Sequence, residues 1–192
     1  LSCSVQGLLR GAAIGLSFPS VGATENILLA AATAEGTTVI TNAAREPEIC
    51  DLAAFLNRCG AHVSGAGGST IVVEGVKKLS GCEHRVIPDR IAAATFMSAA
   101  AATGGCIRLN HVLPAHLEPV LPAFEELGCS MEWDDTSLRI TAPGRLGRIK
   151  SVRTMPYPGF PTDAQPPLMA AACLGSGPSI FVETIFESRY KH

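Results

Sequence analysis

Asp163 is the carboxylate with the most specific setting in the 192-residue sequence. It follows Pro156-Tyr157-Pro158-Gly159-Phe160-Pro161-Thr162, whose prolines and glycine exclude regular structure. Shortly after it comes Leu168-Met169-Ala170-Ala171-Ala172-Cys173-Leu174, an apolar run of helix formers. Thr162 and Asp163 are thereby delivered at or near a helix N-cap, where both residue types are favoured. Two readings stand at this level. In the first, the pair only caps a helix. In the second, a rigid turn aims one carboxylate at a substrate, where it can serve as a base. Arg189, a lone arginine, reads by default as a solvated charge. His62, His84, His111 and His116 lack the spacing of metal ligands and read as structural or exposed. The seven cysteines are scattered, with no Cys-x-x-Cys and no Cys/His pattern, so no metal site is expected. Such an unpatterned set points to reduced thiols in a cytoplasm.

Composition narrows the class. Hydrophobic residues make up 47% and charged residues 17%, an ordinary balance for a globular chain with a sizeable core. A net charge of −2 gives no electrostatic case for a nucleic-acid partner. The apolar stretch 92–105 is too short and too interrupted to span a membrane. The first residues have no signal-peptide form and no initiator Met, and the last, Arg189-Tyr190-Lys191-His192, do not wind down. Both ends read as cut, so a piece of a longer protein is expected.

The elements that must position these residues recur. Residues 1–5 and 12–16 read as short strands, and 17–24 as a turn. A helix is expected at 25–34, closed by Gly36, then a β-branched strand at 37–41. An amphipathic helix follows at 47–59, with Ile49, Leu52, Phe55 and Leu56 on one face. Segments 61–63 and 70–73 read as a hairpin over the glycine-rich 65–68. The order then repeats: a turn at 86–90, an Ala-rich helix at 91–103, a strand at 106–109, an amphipathic helix at 117–127, and a hairpin of 130–133 with 137–141. A third round opens at Thr154 and includes a strand at 179–183. Asp89-Arg90 fits either a hinge or a cap.

The period, about 70 residues, marks an internal β-α-β-α-β-β repeat. The first helix of each round is apolar nearly all round, which predicts burial on all sides. The fold class expected is α/β, with helices inside, sheets outside, and the turns that open the buried helices gathered at one end. Clustered helix N-termini make an anion site, which points to phosphate or carboxylate ligands.

Three stretches, taken together, carry a family resemblance. They are Ser20-Val21-Gly22-Ala23-Thr24, Asn42-Ala43-Ala44-Arg45-Glu46-Pro47-Glu48-Ile49, and Phe160-Pro161-Thr162-Asp163 followed by Glu183-Thr184-Ile185-Phe186-Glu187-Ser188-Arg189. In this order and spacing the chain resembles the UDP-N-acetylglucosamine 1-carboxyvinyltransferases, the enolpyruvyl transferases that open peptidoglycan synthesis. The resemblance implies an inside-out α/β barrel of repeated units, in two domains joined by a double hinge. Residues 1–87 are then the later part of one domain and 88–192 the first part of the other.

The implied reaction moves an enolpyruvyl group from phosphoenolpyruvate to the 3'-hydroxyl of UDP-N-acetylglucosamine and releases phosphate. It needs a base for the hydroxyl, an acid for the C3 methylene, and cations for carboxylate and phosphate. By resemblance, Asp163 takes the hydroxyl proton and Arg189 faces phosphoenolpyruvate. Ser20, Val21 and Gly22 hold the diphosphate and uridine, while Ile185 and Phe186 supply backbone and apolar contacts to the nucleotide sugar. No cofactor is expected. Two positions depart from the pattern: Ser188 stands where Asn is usual, and Phe18 where some members have Lys. The family's Lys-Asn pair, its mobile acid loop and its C-terminal arginines have no counterpart here, so this stretch alone is expected to be inactive. Apolar faces without neighbours are expected to drive self-association. A transferase acting on shikimate phosphate is the neighbouring alternative, and a non-catalytic nucleotide-sugar-binding or assembly module the third.

Overall fold

The computed structural model describes residues 4–192. They fall into two compact units, the first running to Ile87 and the second from Pro88 to His192. Of the strand expected at 1–5, residues 1–3 lie outside the described residues, and Ser4 and Val5 form no strand.

In the first unit the order is β1 (Ala13–Gly15), α1 (Val21–Ala31), β2 (Thr37–Thr41), α2 (Pro47–Arg58), β3 (His62–Ser64) and β4 (Thr70–Glu74). The sheet order is β1-β2-β4-β3; β1 runs parallel to β2, and the remaining pairs are antiparallel. Alternation places Thr38, Ile40, Ile71 and Val73 on the buried face and Thr37, Thr41, Thr70 and Glu74 on the exposed one. Leu28 and Ala31 of α1 and Ile49 and Leu56 of α2 complete this core.

The second unit repeats the scheme. It contains α3 (Arg90–Ala102), β5 (Cys106–Asn110), α4 (Leu121–Glu126), β6 (Ser130–Trp133), β7 (Ser137–Thr141), β8 (Val152–Arg153), α5 (Gln165–Ala172) and β9 (Phe181–Val182). Its larger sheet has the order β5-β7-β6, matching β2-β4-β3. The parallel pair β8 and β9, joined through α5, matches β1-α1-β2 and opens the third round. Helices α3 and α5 pack directly on each other, and Met97, Phe124, Leu138, Ile140, Leu168 and Ala171 lie at the centre. Small alanine faces permit that close helix approach.

The mixed α/β architecture of repeated units is the one expected, with each sheet turning one face to the helices. The sheets are open, and no closed barrel forms among the described residues. The apolar helices are not buried on every side: Leu29 of α1 and Phe96 of α3 are exposed, and the apolar run expected at 168–174 leaves the helix after Ala172, with Leu174 exposed in the turn beyond α5. Two boundaries also differ. Helix α1 starts at Val21 because Ser20 is its N-cap, accepting from the Ala23 N–H at 3.3 Å. The helix expected at 117–127 shrinks to α4, behind a 3₁₀ turn at Pro114–His116. Pro119 has no N–H to donate and disfavours helical backbone at Glu118, so the helix begins beyond it. Asp89 is a cap, accepting from Ile91 and Ala92 at 2.8 and 3.0 Å.

Candidate functional site

The residues singled out above form two clusters, one in each unit. In the first unit, Ser20, Val21 and Gly22 open α1. Ser20 takes up the Ala23 N–H with its hydroxyl and the Thr24 N–H with its carbonyl. The Val21 and Gly22 N–H groups are left at the positive end of an 11-residue helix, a setting suited to an anion. Around Gly22 the space where a side chain would sit is open. Buried Thr24 donates to the Ser20 carbonyl at 2.8 Å and accepts from the Ala44 N–H at 3.1 Å. That bond joins the first motif to the second. Asn42, with φ 56°, donates from its amide to the Leu16 carbonyl at 2.8 Å. The two stretches are thus built into one corner.

The second cluster surrounds the proline-bounded turn. Met155 N–H donates to the Phe160 carbonyl at 3.0 Å, and Gly159 N–H to the Pro156 carbonyl at 2.8 Å. A side chain at Gly159 would collide with Met155, so the turn needs glycine there. The Arg90 guanidinium lies over the Tyr157 ring at 5.6 Å, tying the start of α3 to the turn. Thr162–Ala164 is a 3₁₀ turn leading into α5, and no side chain caps the helix. The capping reading of Asp163 therefore fails. Asp163 Oδ1 instead accepts from Arg189 Nη2 at 2.5 Å. The two side chains are 58% and 27% exposed. An ion pair so open to water adds only about 0–1 kcal/mol to stability. Arg189 also lies over the Phe186 ring at 5.5 Å.

Glu183 is the residue that sequence reasoning passed over, although it begins the last motif. Its Oε1 accepts from the Thr154 hydroxyl at 2.8 Å, the Ile185 N–H at 2.7 Å and the Phe186 N–H at 3.1 Å. Its Oε2 accepts from the Thr162 hydroxyl at 2.9 Å. Thr154 is fully buried and in turn accepts from the Thr184 N–H at 2.9 Å. One carboxylate thus fixes both the residue before Asp163 and the loop that carries Arg189. It also occupies the N–H groups of Ile185 and Phe186, so a backbone contact from Ile185 to a ligand must use its carbonyl. Burial pushes the Glu183 carboxyl up. The donors Ile185, Thr154, Phe186 and Thr162 outweigh it and hold the pKa below the usual glutamate range.

A lowered folded pKa contributes stability above the unfolded value, lost as pH falls through the folded one. Acid melting of the wild type is therefore expected to steepen below the ordinary glutamate value of about 4.3, and to flatten in Glu183→Gln. Glu183→Ala is expected to destabilise by about 2–4 kcal/mol, because it strands several donors. A urea midpoint unchanged in Glu183→Ala contradicts this role.

Among the described residues no group of three or more His, Cys, Asp or Glu side chains could hold a metal ion. No helix among them is long and apolar enough to cross a membrane. Chemically, the second cluster offers a base beside a cation, and the first an anion-binding helix start. A carboxylate beside a cation is a group able to take a proton from a hydroxyl, and a helix start with open N–H groups is one able to hold a phosphate.

Residues 2–192 match the family model described as EPSP synthase (3-phosphoshikimate 1-carboxyvinyltransferase). The chain is 54% identical over 191 residues to UDP-N-acetylglucosamine 1-carboxyvinyltransferase 1 of Symbiobacterium thermophilum, covering 100% of this chain and 43% of that protein. It is 51% identical over 186 residues to UDP-N-acetylglucosamine 1-carboxyvinyltransferase of Finegoldia magna, covering 96% of this chain and 44% of that one. Both names agree with the resemblance read from the motifs. The chain spans less than half the length of these relatives. In fold it is similar to the enolpyruvyl transferase NikO from Streptomyces tendae, with a TM-score of 0.84 at 22% identity, covering 96% of this chain and 46% of that one.

Proposed function

The chain belongs to the EPSP synthase family of carboxyvinyltransferases, and on that premise we propose that the full-length protein carrying it makes enolpyruvyl-UDP-N-acetylglucosamine. In this reading phosphoenolpyruvate donates its enolpyruvyl group to the 3'-hydroxyl, and phosphate leaves. The step is the first committed one of bacterial peptidoglycan synthesis, in the cytoplasm, and so serves the cell wall, cell shape and division. Residues 1–87 close one domain of that protein and 88–192 begin the other.

The relatives' names supply the substrate class, and one structural observation carries the chemistry. Asp163 caps nothing; it is held by Arg189 at the tip of a rigid turn. In the proposed mechanism the Asp163 carboxylate takes the proton from the sugar hydroxyl as its oxygen bonds to the enolpyruvyl carbon. Arg189 offsets the negative charge of phosphoenolpyruvate. The α1 start at Ser20, Val21 and Gly22 receives the diphosphate and uridine. Ile185 and Phe186 flank the nucleotide sugar, one half-buried and one exposed. The C3 methylene takes its proton from an acid that this stretch does not supply, so the stretch alone is inactive.

The family description names a shikimate phosphate as the alternative acceptor, and a titration separates the two. Full-length protein is expected to bind UDP-N-acetylglucosamine in preference to shikimate 3-phosphate by calorimetry. The reverse preference assigns the protein to the alternative.

A further inference from the structure

The segment between β4 and Pro88 carries the chain out of the first unit without regular structure from residue 75 to residue 87. It is nevertheless seated along one face of α2. The Ser80 N–H donates to the Cys59 carbonyl at 2.8 Å, and the Ser80 hydroxyl to the same oxygen at 3.2 Å. Arg58 Nη1 donates to the Glu83 carbonyl at 3.1 Å. His84 Nε2 pairs with Asp51 Oδ1 at 2.9 Å, with both side chains largely buried, and its ring meets Phe55 edge-on at 5.5 Å. Asp51, Phe55 and Cys59 are spaced four apart and share one side of the helix. Between these ties Cys82 lies over Cys59, with the sulfurs 3.4 Å apart.

We propose that Cys59 and Cys82 are a reversible dithiol–disulfide pair whose oxidation locks the segment leaving the first unit onto the end of α2. A disulfide needs its sulfurs at about 2.0 Å, a small approach from van der Waals contact. The ties on both sides of Cys82 already hold the two side chains in place. Neither residue belongs to the clusters assigned to catalysis.

The oxidant is a peroxide. The half-buried Cys82 is the sulfur it reaches; Cys59 is buried. The Cys82 thiolate attacks hydrogen peroxide, gaining one oxygen as a sulfenic acid and releasing hydroxide. The Cys59 sulfur then displaces that oxygen as water and closes the S–S bond. Two thiols and one peroxide give one disulfide and two waters. A dithiol reductant reverses the change. The hydrogen bond to Cys82 raises the Cys59 thiol pKa and burial adds to it, so Cys59 is not the sulfur that peroxide oxidises first; its place 3.4 Å from Cys82 makes it the resolving partner. Transient, sensing disulfides are the kind that reducing compartments tolerate.

Trypsin separates the partners, because peptides 59–77 and 79–85 each contain one cysteine. Full natural protein is treated with hydrogen peroxide, alkylated, digested and mapped. The cross-link between these two peptides is expected before any other cysteine pair joins, and dithiothreitol should remove it. Cys59→Ser and Cys82→Ser should each abolish it; Cys82→Ser, at the half-buried position, should melt close to the wild type under reduction. Hydrogen exchange across 76–86 should slow about tenfold on oxidation, as local opening is suppressed. The proposal is overturned if Cys82 ends as a sulfinic acid with Cys59 unreacted, if other cysteines join first, or if exchange in 76–86 is unchanged.

Discussion

Asp163→Asn in the full-length protein is expected to lower turnover by about 10²-fold or more, the scale for losing a general base. Asparagine keeps the shape and can still accept from Arg189 through its amide oxygen. It cannot take up a proton from the sugar hydroxyl. Nucleotide-sugar affinity and melting temperature should therefore change little, so the loss should fall on kcat rather than on binding. The side chain donates nothing to α5 and accepts nothing from it, which is why the fold should tolerate the exchange. Intact turnover together with a lower melting temperature would make the carboxylate structural only.

Arg189→Ala is expected to cost about 10²–10³-fold in turnover, as for removal of one preorganised donor from a developing charge. Two functions disappear at once: the cation that faces the phosphoenolpyruvate and the group that holds Asp163 in place. Arg189→Lys should recover only part, because a lysine keeps the charge without the planar fork. Residues in contact do not act independently, so the double variant with Asp163→Asn should be far less impaired than the product of the single effects. Effects that multiply would show that the two side chains work apart, against the 2.5 Å contact between them.

Much of this architecture is legible in local sequence. Proline and glycine at 156–161 announce the turn, and the glycine-rich 65–68 between two β-branched runs announces the hairpin of β3 and β4. The glycines at 60 and 128 sit at positive φ just beyond α2 and α4, where left-handed backbone ends a helix. What was not legible depends on partners far along the chain. Glu183 is one of many glutamates until Thr154 and Thr162 are brought to it from 29 and 21 residues away. The Cys59 and Cys82 sulfurs, 23 residues apart, meet only because the irregular segment lies back along α2. Asp163 shows the opposite case. Local propensity favours a cap, and a residue 26 positions later takes the carboxylate instead. The exposed Leu29 and Phe96 mark another limit, since an apolar periodicity says which helix wants burial but not what covers it.

The central claim is that a nucleotide sugar accepts the enolpyruvyl group, and phosphate release tests it most directly. Full-length protein is supplied with phosphoenolpyruvate and either UDP-N-acetylglucosamine or shikimate 3-phosphate. Steady release of phosphate with the nucleotide sugar, and none above background with shikimate 3-phosphate, is the predicted result. Turnover of shikimate 3-phosphate with no turnover of the nucleotide sugar would contradict the account.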